Sequence, residues 1–332
     1  MFSRNPQLDS WVQQHLACPR DFKPLEILGD RLRCPENHAY PVVNGVPILL
    51  LEETVPTQKE FWKVLKQPET FSKTEAAEVP DQDGIDPFVK QALPATSGGL
   101  YNSVAAGLRQ YPIPELPLPD GHGAVFLDLG CNWGRWCLSA GRKGYWVIGI
   151  DPNLEAVLAA RRVSVQLNIP GCFLVADARH LPFASHCVDT VFSYSVLQHF
   201  HKEEARKAFK EASRVLKAGG TAFIEMPNAF GLHNLLHQLK RGFRQARDFE
   251  VRYWTPAELV QTFNACVGPA RLIADGYFSL NSQAADLHLL PFPYRLVVRI
   301  SEWLREKSLV WPWLVGVADS LYVQSTAAPK TN

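Results

Sequence analysis

The chain reads as an α/β protein: a Rossmann-like doubly wound sheet, mostly parallel with an antiparallel closing strand, plus a small N-terminal β ribbon. Two observations predict the sheet. From Val125 onward short apolar runs alternate with amphipathic stretches in strand–helix order. Acids close successive runs, at Asp128, Asp151 and Asp177. A third observation predicts the ribbon, where Cys18-Pro19-Arg20-Asp21 and Cys34-Pro35-Glu36-Asn37-His38 flank a hairpin-like stretch ahead of the sheet. With 332 residues and 46% hydrophobic content, the chain is long enough for one large domain and one small one.

The ribbon is expected over residues 13–51. Cys18, Asp21, Cys34 and His38 are its candidate zinc ligands, since a tetrahedral structural zinc is satisfied by four such groups. Asp21 stands where a second cysteine is expected. Two readings stay open: zinc held with a carboxylate in the fourth place, or a metal-free ribbon held by apolar contact through Val42, Val43, Val46, Ile48, Leu49 and Leu50. Residues 52–96 turn acidic and proline-broken, as a linker or loose cap does. A helix is expected from Gly98 to about Tyr111, with Tyr101 facing the cofactor or simply packed. Pro112, Pro114, Pro117 and Pro119 then make an extended connector.

Residues 97–326 form the main domain. Its first strand, Val125-Phe126-Leu127-Asp128-Leu129, opens into Gly130-Cys131-Asn132-Trp133-Gly134-Arg135. Gly130 and Gly134 let the backbone approach a ligand, and Asn132 tolerates left-handed angles, so a nucleoside can lie against this turn. Trp146–Ile150 is the second strand, closed by Asp151, whose carboxylate suits a ribose diol. The third, Cys172–Ala176, ends in Asp177-Ala178. A dinucleotide fingerprint would place a glycine where Arg135 stands and asks for no acid at Asp128, which weakens a pyrophosphate reading. Each acid taken singly is also a plausible helix N-cap; their succession favours a nucleoside site. Cys131 and Trp133 read as packing residues, because nothing pairs Cys131 with a base.

These ordered motifs resemble class I S-adenosylmethionine-dependent methyltransferases, of the methyltransferase type 11 kind, from roughly Gly98 to Val323. The resemblance implies that Asp128, Gly130, Asn132 and Gly134 surround the methionine end and Asp151 holds the ribose hydroxyls. It implies that Asp177 with Ala178 meets the adenine, and that Tyr194 and Gln198 line the methyl-transfer face, Gln198 on the cofactor. Asn132 departs from the glycine many members carry there. The ribbon resembles tRNA-methyltransferase activator proteins, and its ligand spacing is similar to the N-terminal zinc site of ribosomal-RNA guanine methyltransferases.

The implied reaction is an in-line displacement at a sulfonium methyl, in which alignment alone supplies roughly 7 to 11 kcal/mol. A proton-bearing acceptor needs a base; His199, just after the fourth strand, is the candidate, with Tyr194 close by. The other reading of His199 is a helix-start histidine bonded to backbone. The stretch Ser193-Tyr194-Ser195-Val196-Leu197-Gln198-His199 lacks the Asn/Asp-Pro-Pro-aromatic turn of many nucleic-acid amino methyltransferases. It looks like enzymes acting on oxygen or carbon of small metabolites, quinone- or lipid-like ones included. The alternatives are an RNA methyltransferase using the ribbon for recognition, and a silent cofactor-fold binding module.

Beyond the fifth strand, an insert over residues 227–250 carries Leu232, Leu235, Leu236 and Leu239 with Lys240, Arg241, Arg244 and Arg247: a lid over the substrate, or a solvated charged face. Thr255-Pro256-Ala257-Glu258 reads as a capping box with proline at the first helical position. The tail from Leu289 to Leu314 interleaves Trp303, Trp311 and Trp313 with Arg295, Arg299, Arg305 and Lys307, and either packs on the domain or touches a membrane surface. Asp319–Val323 is expected as a closing edge strand. A net charge of +1 disfavours a nucleic-acid-neutralising protein, though a nucleic-acid partner stays open. Seven irregularly spaced cysteines argue against a disulfide framework, and no uncharged run reaches the roughly 20 residues needed to cross a bilayer. A cytoplasmic location is expected.

Overall fold

The computed structural model describes residues 5–54, 84–96, 101, 107–280 and 283–328. Most of the acidic linker and most of the helix expected from Gly98 to Tyr111 lie outside them. The ordered N-terminus starts earlier than expected, with helix α1 (Pro6–His15), whose Asn5 side chain caps the Gln7 and Leu8 amides. Strands β1 (Glu26–Leu28), β2 (Arg31–Arg33), β3 (Ala39–Val43) and β4 (Val46–Leu49) follow as antiparallel neighbours. Asn44 and Gly45, at φ of 50° and 74°, make the two-residue turn between β3 and β4 that matches strand twist.

This ribbon does not stand apart from the main domain. Strand β4 joins the main sheet parallel to β7 (Gly171–Ala176), with Ile48 opposite Val175 and Leu49 opposite Ala176. Leu8, Val12, Val46, Ile48 and Leu49 are all essentially inaccessible to solvent. At about 1.5 to 3 kcal/mol for each large apolar side chain fully buried, the seam outweighs the modest interior of a four-strand ribbon. The apolar contact expected of residues 42–50 is therefore present in the fold.

Helix α2 (Pro87–Thr96) precedes the main domain. The domain runs β5 (Val125–Leu129), α3 (Arg135–Arg142), β6 (Trp146–Asp151), α4 (Leu154–Gln166), β7, β8 (Val188–Ser193), α5 (Lys202–Val215) and β9 (Leu216–Pro227). Helix α6 (Leu232–Lys240), α7 (Pro256–Cys266), β10 (Ala270–Gly276), α8 (Phe292–Ser308), α9 (Trp313–Val317) and β11 (Ser320–Thr326) complete it. The strands lie in the order β1-β2-β3-β4-β7-β6-β5-β8-β9-β11-β10, with β7, β6, β5, β8 and β9 mutually parallel. Every residue of β5 and β7 is buried, which is why both read as unbroken apolar runs.

Alternating residues feed two cores. Phe126, Val147, Phe173 and Phe192 meet α3 and α4 through Trp136, Ala140, Val157 and Ala160. Leu127, Ile148, Leu174 and Val191 face the opposite side, where α5 and α7 bring Ala208, Phe209, Leu259 and Phe263. The Thr255/Glu258 capping box forms as expected. Two boundaries differ. The fifth strand begins at Leu216, opposite Val188, and takes up its regular ladder with both neighbours only at Thr221, after an irregularity that contains Gly219 and Gly220. The closing strand β11 is antiparallel as expected but not at the edge: it inserts between β9 and β10, leaving β10 outermost.

Candidate functional site

All strand-end acids lie at the carboxyl rim of the parallel strands, the place where open α/β sheets take ligands. Gly130 and Gly134 have φ of 78° and 83°, and Asn132, between them, has φ of 49°. A Cβ on Gly130 would lie 2.5 Å from Val196 Cγ2, so nothing larger fits between the turn and the segment after β8. Asp151 accepts the Asn132 amide at 3.0 Å on one oxygen and the Asn153 amide at 2.9 Å on the other. Burial pushes its carboxyl up to about 6, against those two amides. Each oxygen keeps lone-pair capacity for a hydroxyl. The helix after Asp151 is capped by Asn153 and Gly134 stands at the N-cap position of α3, so neither Asp128 nor Asp151 serves as a conventional N-cap.

Asp128 lies beneath the turn, 1% exposed, and accepts the Cys137 thiol at 3.3 Å. Burial, reinforced by the nearby Asp151 charge, pushes it up to about 7. Asp177, directly after its strand as expected, is paired within the protein. Both its oxygens accept from the Arg179 guanidinium, at 2.9 and 2.6 Å, and Arg179 also reaches Glu204 at 2.9 Å. The buried Arg179 lies only two residues along, a pairing the sequence did not flag. Ala178 is 7% exposed and packs into the core. Cys131 and Trp133 are buried packing residues, as expected, and burial raises the Cys131 thiol to about 11. Tyr101 also packs: its hydroxyl accepts from the buried Arg135 at 2.9 Å, and that guanidinium also bonds Pro112 O and Asp286. Arg135, which displaces the fingerprint glycine, thus ties the proline connector to the start of α3.

After β8 the backbone turns through Ser195, at φ of 60°, into a short 3-10 helix, Leu197–His199. The Gln198 amide donates to Ser195 Oγ at 2.7 Å and lies 3.3 Å from His199 Nε2. His199 Nδ1 is 2.7 Å from the Phe249 carbonyl, which can only accept, so Nδ1 carries the proton. Its ring stacks on Phe249 at 3.8 Å, and burial lowers the imidazole to about 4. Of the two readings of His199, the backbone-bonded one describes this geometry.

Tyr194 donates its hydroxyl to Asp275 Oδ2 at 2.9 Å, beneath Trp136. Ser320 Oγ lies 2.8 Å from that oxygen and 2.5 Å from Glu225 Oε1, while Glu225 Oε2 accepts the Ser195 amide at 2.7 Å. Ser320 has one proton to give, so two carboxylates around it require one carboxyl to donate back. Burial, with the Asp275 charge adding, raises Glu225 to about 8, and burial raises Asp275 as well. The pair thus shares one proton, and burial favours keeping it. Asp275 also borders a cavity of about 240 Å³ with Phe223, Ile273, Tyr322, Gln283 and Arg305. Burial, with the Asp275 charge adding, raises the buried Tyr322 hydroxyl as well. Local pattern gives little sign of the carboxyl pair; the one signal is Glu225 inside the apolar run Phe223–Met226. A larger cavity, about 790 Å³ beside Arg109, Arg142 and Gln166, shares no residue with the strand-end acids.

The ribbon brings Cys18, Asp21, Cys34 and His38 together, with one ligand atom of each within 4.8 Å of every other. His38 Nδ1 lies 3.5 Å from Cys18 Sγ, 3.4 Å from Cys34 Sγ and 3.1 Å from Asp21 Oδ2. Cys34 Sγ is 3.3 Å from Asp21 Oδ2. Bonds of about 2.0 to 2.3 Å to zinc span a tetrahedron with edges of roughly 3.3 to 3.8 Å, so the donor set fits that ion.

Residues 127–224 match the family model described as a methyltransferase domain. Among similar proteins is the tRNA U34 carboxymethyltransferase of Desulfotalea psychrophila, 25% identical over 119 residues, covering 35% of this chain and 37% of that protein. The ubiquinone biosynthesis O-methyltransferase of Brucella ovis is 28% identical over 141 residues, covering 40% of this chain and 56% of that one. The chain thus spans about a third to just over half of these relatives. A solved structure, a complex between the Haloferax volcanii Trm112 methyltransferase activator and a methyltransferase, has a chain 19% identical, with 73% of this chain and 94% of that chain covered at a TM-score of 0.45. The strand order, the left-handed turn with its strand-end acids and the match over residues 127–224 show that this chain carries a class I S-adenosylmethionine-dependent methyltransferase domain.

Proposed function

We propose that the protein transfers a methyl group from S-adenosylmethionine to an oxygen or carbon nucleophile of a small metabolite, quinone- or lipid-like in character. The observation that carries the donor half is Asp151: a buried strand-end carboxylate whose oxygens are oriented by two backbone amides and retain room for a ribose diol. Bound S-adenosylmethionine supplies an electrophilic sulfonium methyl. Gly130, Asn132 and Gly134 give it bare backbone, and Asp128 stiffens the turn from below through Cys137. Gln198 and the Ser195 turn, fixed by Glu225, border the approach of the acceptor. Alignment is the main contribution of such a site. His199 positions this segment by holding Phe249, since a neutral imidazole lowered to about 4 is a weak base near neutrality.

The acceptor side rests on residues 193–199, which lack the turn that grips an exocyclic base nitrogen. An RNA acceptor is the second reading, favoured by the likeness to the tRNA U34 carboxymethyltransferase. We further propose that Cys18, Asp21, Cys34 and His38 hold a structural zinc: four closed ligands leave no position for substrate.

Calorimetric titration with S-adenosylmethionine, S-adenosylhomocysteine and NADH tests the donor. Micromolar binding of the first two alone is expected; binding of NADH alone, or of none, removes the proposal. A turnover screen of phenolic and quinone-type acceptors against unmodified tRNA then separates the acceptor classes. For zinc, protein purified without chelator should carry close to one equivalent of metal; about a tenth or less rejects the site.

A further inference from the structure

Two separate segments leave large apolar side chains in water, and the fold brings them to one rim. Helix α6 buries only Asn234 and exposes Leu232, Leu235, Leu236 and Leu239, the last 61% accessible. Helix α8 turns Val298 and Ser301 inward, with Arg305 bordering the Asp275 cavity. Its outer face carries Phe292, Leu296, Ile300 and Trp303, spaced as one helical stripe, with Phe292 79% accessible. The connection to α9 adds Leu309, Val310, Trp311 and Trp313, at 77%, 71%, 46% and 66%. Asp319 joins the two segments. Its carboxylate accepts the His233 and Asn234 amides at the start of α6 and the Phe278 amide ahead of α8, while Asn228 donates to Gly316 and Ala318 at the end of α9. Both segments therefore spring from the carboxyl rim of the sheet, on the β9–β11 side.

We propose that α6 and the α8–α9 segment together dock the protein onto an anionic lipid bilayer surface. This stands apart from the identity of the methyl acceptor. Charge favours lipid over a second copy of the chain. Residues 230–250 carry Lys240, Arg241, Arg244 and Arg247 against Asp248 and Glu250; residues 289–313 carry Arg295, Arg299, Arg305 and Lys307 against Glu302 and Glu306. Eight cations against four anions give these 46 residues +4, whereas the whole chain is only +1. A self-docking face would bring that surplus against itself, while an anionic surface attracts it. The three tryptophans suit the headgroup boundary, where an indole has an apolar body and a polar edge in place. Among the described residues no helix is long and apolar enough to cross a membrane, so the geometry is one of lying on the surface.

The test is co-sedimentation of the full chain with vesicles of phosphatidylcholine alone and of phosphatidylcholine mixed with phosphatidylglycerol. Binding to the mixed vesicles should be about tenfold tighter or more, weaken with added salt, and shift tryptophan emission to the blue. Two double variants, Leu309→Ser with Trp313→Ser and Leu235→Ser with Leu239→Ser, should each weaken vesicle binding about tenfold without moving the unfolding temperature, since the four side chains are exposed. No binding, equal binding to both vesicles, or binding unaffected in both variants overturns the proposal. So does self-association in sedimentation equilibrium that both variants abolish, which would assign the face to a second copy of the chain.

Discussion

The two halves of the carboxyl rim use the same residue type to opposite ends. Under β5 and β6, Asp151 is oriented by backbone amides that favour its charge, and burial lifts it only to about 6. Under β9 and β10, Glu225 meets one amide but also a serine shared with a second acid, and rises to about 8. At neutral pH the first half presents a carboxylate, the second a proton shared within a carboxyl pair. What surrounds a strand-end acid, rather than its position at a strand end, decides whether it binds a ligand or fixes the chain.

The strongest way to break the comparison is Asp151→Ala. Two hydroxyl contacts to a carboxylate are worth about 1.5 to 3 kcal/mol each, so S-adenosylmethionine affinity should fall by about two orders of magnitude or more. Asp151→Asn keeps one acceptor for the Asn132 amide and should lose less. Unchanged affinity in calorimetry for Asp151→Ala would remove the ribose role and with it the distinction between the halves.

Glu225→Gln sharpens the second half. A glutamine mimics the protonated acid, donating to Ser320 and accepting from Ser195. Because the folded carboxyl lies near 8 and the unfolded one near 4.5, the folded state binds the extra proton. The stability this acid contributes is therefore full below about 4.5 and lost as pH rises through 8. Wild type should melt lower at pH 8 than at pH 5, while Glu225→Gln flattens that slope and melts about 5 °C or more above wild type at pH 8, an effect of a few kcal/mol. A variant that melts below wild type by the same margin at both pH values would mean that Glu225 is ionised and the pair carries no shared proton.

His199→Ala tests the segment between the halves. If His199 positions rather than accepts a proton, turnover should fall by about tenfold or less. The pH profile of kcat/KM should also keep its shape between 6 and 8, and asparagine, able to donate to the Phe249 carbonyl, should rescue more than alanine. A loss of about a thousandfold together with a vanished acid limb would restore His199 as the base.

Much of this was legible in local pattern. The parallel strands, the left-handed turn and the Thr255–Glu258 cap depend on residues within a few positions of each other, where steric and hydrogen-bonding rules act directly. The clustering of Cys18, Asp21, Cys34 and His38 was legible for the same reason, since knuckle spacing is local. Elsewhere long-range pairing overrode the local signal. Nothing near Ser320 says that its strand inserts between β9 and β10, and that insertion alone brings Ser320 between Glu225 and Asp275, 95 and 45 residues away. Asp177 shows the converse. The resemblance implies an adenine contact there, and the fold adds what the sequence did not flag: Arg179, two residues on, is held in the core where its guanidinium must find a carboxylate. The exposed leucines of α6 mark the same limit: amphipathic spacing gives a stripe, and only the fold says whether a neighbour covers it.

The smallest expected effect is also the most direct reading of the first half. If Asp151 grips the ribose as a carboxylate, protonating it must weaken binding, so S-adenosylmethionine affinity should decline as pH falls through about 6. With that value in the free protein, the ionised fraction drops by about fourfold between pH 7.5 and 5.5, and affinity should follow. Glu225 titrates on the alkaline side of this profile, while Asp128, at about 7, titrates within it in wild type and variant alike, so the difference between the two profiles reports Asp151. The Asp151→Asn variant has nothing to protonate at that position, so its affinity should fall less across this interval while remaining weaker than wild type at pH 7.5. A wild-type profile as flat as that of the variant would mean that the ribose is held by other groups, and that the amides around Asp151 serve the turn alone.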